Sequence, residues 1–340
     1  MIEKPILSNS VAERARTVVP RVRSVIASMR NADTSFAAQP GDVWRKNVEA
    51  FEYLLSGPDL SQFETLRRHT HHITGDPGRK LPRILSGRAR VSNKLYELAQ
   101  RLGLLDIRTE RARHFRTWLR TTPASRSLAG IVTEPPVLGG DEIVSSVIDE
   151  RPYNFETARF LVELVNIVEW GQVPFDRPGL RIMDLGSGWG GLAYFLRAVF
   201  ADSHITLLDL PETFIFSMPY LMLGDPDKTF YLPEDGLGDP SMTGDVDYAF
   251  FSPGALERIP DRSFDLIVNT GSMAEMSQDQ VRYYISQIKR IGRGAFYSFN
   301  EDRLCTNVEL GNLTEILGRE FSITHGRHTF EPFRSIACTW

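Results

Sequence analysis

Residues 182–191, IMDLGSGWGG, decide the fold. An apolar run typical of a buried strand leads into this stretch, and a helix with apolar residues at helical spacing follows it. Glycine permits positive φ and lets a ligand lie against the backbone. In α/β proteins such a turn lies at the carboxyl ends of the strands, where ligands bind. The stretch therefore predicts a ligand site at its glycines.

Segments typical of strands and helices alternate from residue 155 onward. The strand-like segments are LRIMDL, HITLLDL, VDYAFF, FDLIVN, GAFYSFN, FSITH and RSIACTW. This alternation predicts βαβ units and a mostly parallel sheet that helices cover on both faces. Only a short connection joins the last two strands, which predicts an antiparallel pair at one edge. Ser277 and Gln280 form a capping box that predicts a helix over Gln278–Ile291.

The first 130 residues are predicted to be helical. Trp44, Val48, Phe51 and Leu55 share one helix face, with Asp42 as the N-cap. Two further helices are predicted, over residues 92–102 and 110–120.

The segment TEPPVLGGDE follows this helical region and has two prolines and two glycines in ten residues, which predicts a linker. We therefore predict a helical domain over residues 1–130 and an α/β domain over residues 131–340. The helical domain would serve as a lid or acceptor-binding element, or for oligomerisation.

The charges are unevenly distributed. The 340 residues have a net charge of −4, yet residues 1–130 have 23 basic against 12 acidic side chains, and the remainder 16 against 31. A basic half can bind an anionic partner or face the acidic half. No apolar run reaches the ~20 residues that span a bilayer, and the first 20 residues lack the apolar core of a secretory signal. With two cysteines, this favours a cytoplasmic location.

Two ligand classes fit the glycine turn. Gly186, Gly188 and Gly191 match the dinucleotide pattern G-x-G-x-x-G, which would make the chain an NAD(P)-dependent oxidoreductase. However, the carboxylate of Asp184 would repel a pyrophosphate and attract a cation. Asp184-x-Gly186-x-Gly188-x-Gly190 resembles motif I of the Rossmann-like methyltransferases that use S-adenosylmethionine (SAM). Asp209, 25 residues on, matches the acidic residue that binds the ribose in that class.

The chain further resembles a family of sugar O-methyltransferases over residues 131–300, through DLGSGWGG, LLDLPE and FDLIVNTGSMAEMS. The resemblance implies a Rossmann-like methyltransferase sheet, mostly parallel with the last strand antiparallel, preceded by an N-terminal α-helical domain. It implies SAM as donor, S-adenosylhomocysteine as product, and a hydroxyl of a sugar or sugar-containing small molecule as acceptor. The implied donor-binding residues are Asp184, Gly186, Ser187, Gly188, Trp189, Gly190, Asp209, Leu210, Asn269 and Thr270.

A sugar hydroxyl needs a base as it is methylated. Glu275, just beyond the fourth strand of the sheet, is predicted to position the acceptor or to act as that base. His328 is a second candidate, on the connection between the last two strands. Tyr153 and Ser272 are predicted to bind the acceptor.

No resident metal is predicted. A magnesium-assisted mechanism is disfavoured, because the turn after the fourth strand offers Asn269 and no aspartate, although Asn300, Glu301 and Asp302 follow the next strand.

Three interpretations stay open beside the leading one. They are the oxidoreductase, a nucleic-acid methyltransferase that uses the basic half, and an interaction protein with a vestigial cofactor site. Nucleic acid is disfavoured as a partner, because the basic residues form no recognised binding motif. No membrane partner is predicted, and a homodimer through the helical domain is left open.

Overall fold

A nine-stranded sheet forms the centre of the molecule in the computed structural model, which describes residues 2–3, 10–40, 42–74, 107–135, 137–174, 176–301, 310, 312–330 and 333–340. Its strands are β1 (Ile2–Glu3), β4 (Arg181–Leu185), β5 (His204–Leu208), β6 (Phe230–Tyr231), β7 (Tyr248–Phe251), β8 (Leu266–Thr270), β9 (Phe296–Glu301), β10 (Ser322–Phe330) and β11 (Phe333–Thr339). A separate hairpin pairs β2 (Ser146–Ile148) with β3 (Arg151–Tyr153).

The strand order confirms the predicted fold class. The order is β1-β6-β7-β5-β4-β8-β9-β11-β10. Strands β4 to β9 pair in parallel, and β11 runs antiparallel to both β9 and β10. The chain winds from β4 to β5 and β7 on one side and to β8 and β9 on the other. This Rossmann-like arrangement creates a crevice at the carboxyl ends of β4, β5 and β8, where the winding reverses.

The helices in the described residues cover both faces of the sheet. They are α1 (Val11–Ala32), α2 (Asp42–Ala50), α3 (Glu52–Ser56), α4 (Leu66–His69), α5 (His71–Thr74), α6 (Ile107–Thr121), α7 (Pro123–Leu128), α8 (Phe155–Trp170), α9 (Gly191–Val199), α10 (Phe214–Gly224), α11 (Gln278–Ile291) and α12 (Leu313–Glu320). The predicted capping box of Ser277 and Gln280 opens α11. No helix in these ranges is long and apolar enough to cross a bilayer.

Alternate residues of each strand pack against different layers. Ile182 belongs to the core beneath α8, α9 and α10, whereas Met183 packs in the core beneath α11 and α12. This alternation follows from the two-residue period of a strand. Asp184 therefore lies on the same face of the sheet as Ile182, toward α8.

The N-terminal helices share the core of the sheet. Val19 and Val22 of α1 are fully buried in the same apolar cluster as Ile182, and β1 pairs with β6. The predicted linker is also packed, with Pro135 and Leu138 buried. The boundary predicted at residue 130 therefore does not coincide with a break in the core.

The predicted helix that contains Trp44 and Leu55 is split in two. Phe51 leaves the helical conformation, with φ −113° and ψ 16°, and its ring packs edge-on against Phe216 at 5.0 Å. Asp42 is the first helical residue rather than the cap. The prediction for residues 110–120 corresponds to α6, and the one for residues 92–102 lies outside the described residues.

Candidate functional site

A cleft lies at the carboxyl ends of β4, β5, β8 and β9, where the glycine turn predicts a ligand site. The turn after β4 forms its floor, and the ends of β5, β8 and β9 form its walls. Residues from the N-terminal region cover it, among them Ala37, Gln39, Trp44 and Ile73. The N-terminal helices thus help to enclose the cleft.

The glycine turn has the backbone that the sequence predicts. Gly186, Gly188 and Gly190 have φ of +76°, +54° and +84°. A Cβ on Gly186 would collide with the Ser272 hydroxyl, and one on Gly190 would lie 2.9 Å from Cβ of Ser217. Two independent constraints, φ and close packing, therefore require glycine at both positions.

We expect Gly186→Ala to destabilise the protein more than Gly179→Ala does. Gly179 has a φ of +69° but nothing within 4 Å of its Cβ position, so alanine there meets only the backbone cost of about 1–2 kcal/mol. At Gly186 the collision with Ser272 adds to that cost. Urea unfolding of both variants measures the difference. Equal losses would show that the turn has room for a side chain.

Asp184 is the most unusual group in the cleft. Its side chain is 1% exposed, and neither carboxylate oxygen has a hydrogen-bond partner among the described residues. Burial raises the pKa of Asp184 well above its usual range, and the nearby carboxylates Asp209 and Glu163 raise it further. An unpaired buried carboxylate is costly. The cost disappears when a cationic group binds in front of it.

Asp209 binds the glycine turn directly. It accepts hydrogen bonds from the backbone N–H of Gly188 at 2.6 Å and of Leu210 at 2.7 Å. Burial raises the pKa of Asp209 to about 6, although these two bonds oppose the rise. Asp209 and Leu210 both line the cleft, as the sequence predicts.

Asn269 lies beneath the cleft rather than in its lining. The residue is fully buried and donates to the Leu185 carbonyl at 2.7 Å and to the Ser272 hydroxyl at 2.6 Å, while Asn300 donates to its amide oxygen. Asn269 therefore ties the end of β8 to β4. Thr270 and Ser272, which follow it, do line the cleft.

The sequence analysis missed Glu163. Its carboxylate is fully buried, accepts from the Thr270 hydroxyl at 2.9 Å and lies 3.2 Å from Nε of Arg159, which lines the cleft. Burial raises the pKa of Glu163 to about 7. The available signal was an Arg–Glu pair four residues apart on one helix.

Glu275 lies at the outer end of the cleft. Its Oε2 accepts a 2.6 Å hydrogen bond from the indole N–H of Trp44. Burial raises the pKa of Glu275 to about 7; the Trp44 bond opposes this rise, and the nearby carboxylates Glu301 and Asp209 add to it. A carboxylate with a pKa near 7 can accept a proton at neutral pH.

A residue of the N-terminal region contacts Trp189 of the glycine turn. The Arg67 guanidinium lies 3.6 Å from the centre of its ring. Arg67 is itself fully buried and is paired with Glu134 at 2.6 Å and Glu156 at 2.9 Å. The predicted linker thus supplies Glu134, a buried ion-pair partner.

The remaining predicted residues fall in two groups. Ser187 and Trp189 line the cleft, and Gly190 lies behind it as the N-cap of α9. Tyr153 lies outside the cleft: it is 1% exposed and its ring packs edge-on against Phe115 at 5.1 Å. The next residue, Asn154, is polar because it caps α8.

His328 lies within β10 and not on a connection. Its backbone pairs with that of Arg334 in β11. The pairing register shifts on either side of the segment that contains Gly326 and His328, and the strand continues through it. Strand β10 is the outermost of the sheet, two strands from β9. The side chain of His328 lies outside the described residues, as does Asp302. Among the described residues, no group of three or more His, Cys, Asp or Glu side chains is placed to hold a metal ion.

No protein-family model matches the sequence, and no curated protein matches it. Solved structures do match part of it. A SAM-dependent methyltransferase from Aquifex aeolicus is 11% identical over 52% of this chain and 88% of its own, with a TM-score of 0.37. Magnesium protoporphyrin IX methyltransferase from Synechocystis, solved with bound SAM, is 14% identical over 52% of this chain and 76% of its own, with a TM-score of 0.33. A Burkholderia thailandensis 1,6-didemethyltoxoflavin-N1-methyltransferase is 17% identical over 52% and 75%, with a TM-score of 0.34. At these scores the superpositions are partial, and the fold rests on the strand order.

Proposed function

We propose that the chain is a SAM-dependent O-methyltransferase that acts on a hydroxyl of a sugar or a sugar-containing small molecule. The unpartnered carboxylate of Asp184, buried in the cleft beside the glycine turn, carries the proposal. It suits a donor that has a positively charged amino group and sulfonium. A dinucleotide pyrophosphate would be repelled by the same group.

The lining residues fit such a donor. Asp184 would face the amino group, and the glycines would let the donor lie against the backbone. Asp209 would accept hydrogen bonds from the ribose hydroxyls, since its carboxylate lies at the end of the neighbouring strand. Arg159 is the lining cation that could pair with the donor carboxylate. When bound, the donor supplies an activated methyl group.

Glu275 would take the proton from the acceptor hydroxyl. Thr270, Ser272 and Glu275 line the same cleft as the glycine turn, so an acceptor bound against them would lie next to the donor. Much of the rate acceleration comes from holding the donor and the acceptor in line. The base takes the proton from the acceptor oxygen as positive charge develops there. The sugar class of the acceptor rests on the sequence resemblance through LLDLPE and NTGSMAEM.

Calorimetry with S-adenosylhomocysteine and with NADH tests the proposed donor. We expect S-adenosylhomocysteine to bind with micromolar affinity and NADH to give no heat. Binding of NADH alone would support an oxidoreductase and overturn the proposal. Tritiated methyl SAM, offered with a panel of sugars and glycosides, then tests the acceptor class.

We expect Trp44→Phe to move the pH dependence of methyl transfer upward. The rate should rise with pH through about 7 in the wild type, as Glu275 ionises. The Trp44 bond favours the ionised form, so its loss raises the pKa, and the rise moves to higher pH by about one unit for a bond of ~1.5 kcal/mol. Glu301 and Asp209 face the same group and stay unchanged.

Trp170→Phe is the matched control for this variant. Its indole N–H also donates a hydrogen bond, to Thr324, but Trp170 is not part of the cleft. The control should keep the wild-type pH profile. An unchanged profile in Trp44→Phe would show that Glu275 is not the titrating group.

A further inference from the structure

A second concave site lies away from the cleft, between α6, α7 and the β2–β3 hairpin. It shares no lining residue with the cleft. We call it the arginine groove, and its lining residues are Leu119, Arg120, Ser125, Arg126, Ala129, Ile148, Asp149, Arg151 and Tyr153. Three arginines and one carboxylate thus surround a largely apolar floor.

One carboxylate of the protein, that of Asp149, already lies among the arginines of the groove. Asp149, in the two-residue turn of the hairpin, pairs with Arg120 at 3.2 Å and lies 3.9 Å from Arg116. This contact shows that the α6 side of the groove accepts an anion. Asp149 leaves the arginines of the other two elements unpaired.

Arg126 of α7 and Arg151 of β3 have no carboxylate partner in the part of the chain that the structure describes. Arg126 donates to the backbone carbonyl of Arg120 at 2.5 Å, and the Arg151 guanidinium donates to the Tyr153 hydroxyl and lies beside Gly130. Both guanidinium groups therefore keep donors available on two sides of one depression. A guanidinium group can bind a phosphoryl group through two parallel N–H···O hydrogen bonds.

The floor of the groove suits the uncharged part of a ligand. Leu119, Ala129 and Ile148 are buried apolar residues, and Tyr153 lies among them with its ring against Phe115. This placement also accounts for Tyr153, which the sequence analysis assigned to acceptor binding. A small molecule that carries a phosphoryl group would place its charge at the rim and its body on the floor.

We propose that the arginine groove is a second ligand site, which binds the phosphoryl group of a small phosphorylated molecule. Arg126 and Arg151 line the groove from separate elements and have no carboxylate partner among the described residues, so they supply its positive charge above an apolar floor. The cleft is different in charge, because Arg159 lies there beside several carboxylates. The site is independent of the methyl donor.

Pyrophosphate binding to the full chain tests this proposal, measured by calorimetry and by phosphorus NMR at low salt. We expect saturable binding that weakens as sodium chloride is raised, because exposed charges are screened. Binding should weaken by about tenfold or more in the Arg126→Gln/Arg151→Gln variant, since the charge-assisted hydrogen bonds of both guanidinium groups are lost. Arg282→Gln, which neutralises an exposed arginine on α11, should leave it unchanged.

Asp149→Asn provides a test in the opposite direction. Asparagine tolerates the positive φ of 49° at this turn position, so the hairpin should keep its shape. Arg116 and Arg120 would lose their carboxylate, and we expect pyrophosphate to bind several-fold more tightly. Saturation with S-adenosylhomocysteine should not change either affinity.

Two results would overturn the proposal. One is pyrophosphate binding that is absent at millimolar concentration or equal in the double variant and the wild type. The other is a short RNA that binds more than ~100-fold tighter than pyrophosphate and loses this affinity in the double variant. That outcome would make the groove part of a polymer-binding surface.

Discussion

Asp184→Asn should abolish binding of the methyl donor while making the free protein more stable. Removing one partner of a buried ion pair costs about 2–5 kcal/mol in affinity. We therefore expect the affinity for S-adenosylhomocysteine to fall on the order of 100-fold or more by calorimetry. Asp227→Asn, at an exposed aspartate outside the cleft, is the control and should bind normally.

The expected gain in stability has a defined pH dependence. The pKa of Asp184 is higher in the folded protein than in the unfolded chain, where it is near 4. As the pH rises above 4, the carboxyl ionises more readily in the unfolded chain, so the folded protein loses stability. Asparagine removes this penalty. The Tm of Asp184→Asn should equal that of the wild type near pH 4 and exceed it at pH 7.

The two measurements together separate a binding role from a structural one. If Asp184 held the fold together, the variant would melt at a lower temperature at every pH. Unchanged donor affinity with a higher Tm would show that the cationic group of the ligand lies elsewhere.

Glu275→Gln should lower kcat by about 10²- to 10⁴-fold, the usual contribution of a general base. Glutamine has the same shape, and its carbonyl oxygen can accept the Trp44 bond. The affinity for S-adenosylhomocysteine should therefore stay within about twofold of the wild type. The measurement is transfer of tritiated methyl groups to the best acceptor from the sugar panel.

The pH profile adds a second readout for the same variant. The rise through about 7 should disappear in Glu275→Gln, because the group that titrates is gone. Glu257→Gln, at an exposed position, should keep both rate and profile. A Glu275→Gln enzyme with full activity would direct the search for the base to His328. Lost donor binding would instead show that Glu275 shapes the donor site.

The sequence predicted those parts of the site that lie at strand ends. Asp184 and Asp209 follow buried apolar runs, and parallel strands bring their carboxyl ends to one edge whatever the remaining chain does. The glycines could be assigned for the same reason, because a tight turn and a close approach leave few alternatives.

Residues that enter the cleft from distant segments could not be predicted in this way. Trp44 reaches Glu275, and Arg67 reaches Trp189, by packing that leaves no periodic pattern in the sequence. Glu163 is the partner of Arg159 four residues earlier, and its position in the cleft depends on the contact with Thr270, which is 107 residues away in the sequence. Tyr153 was predicted to bind the acceptor, whereas it packs in the core.

The buried contacts of the N-terminal region also determine when the protein can fold. Trp44 and Glu275 are 231 residues apart, Asp33 and Gly254 are 221 apart, and Arg14 and Leu223 are 209 apart. The ribosome releases the N-terminal helices first, long before their partners exist. Native contacts of such high sequence separation slow folding. We therefore expect the apolar faces of these helices to stay exposed until most of the sheet has been synthesised.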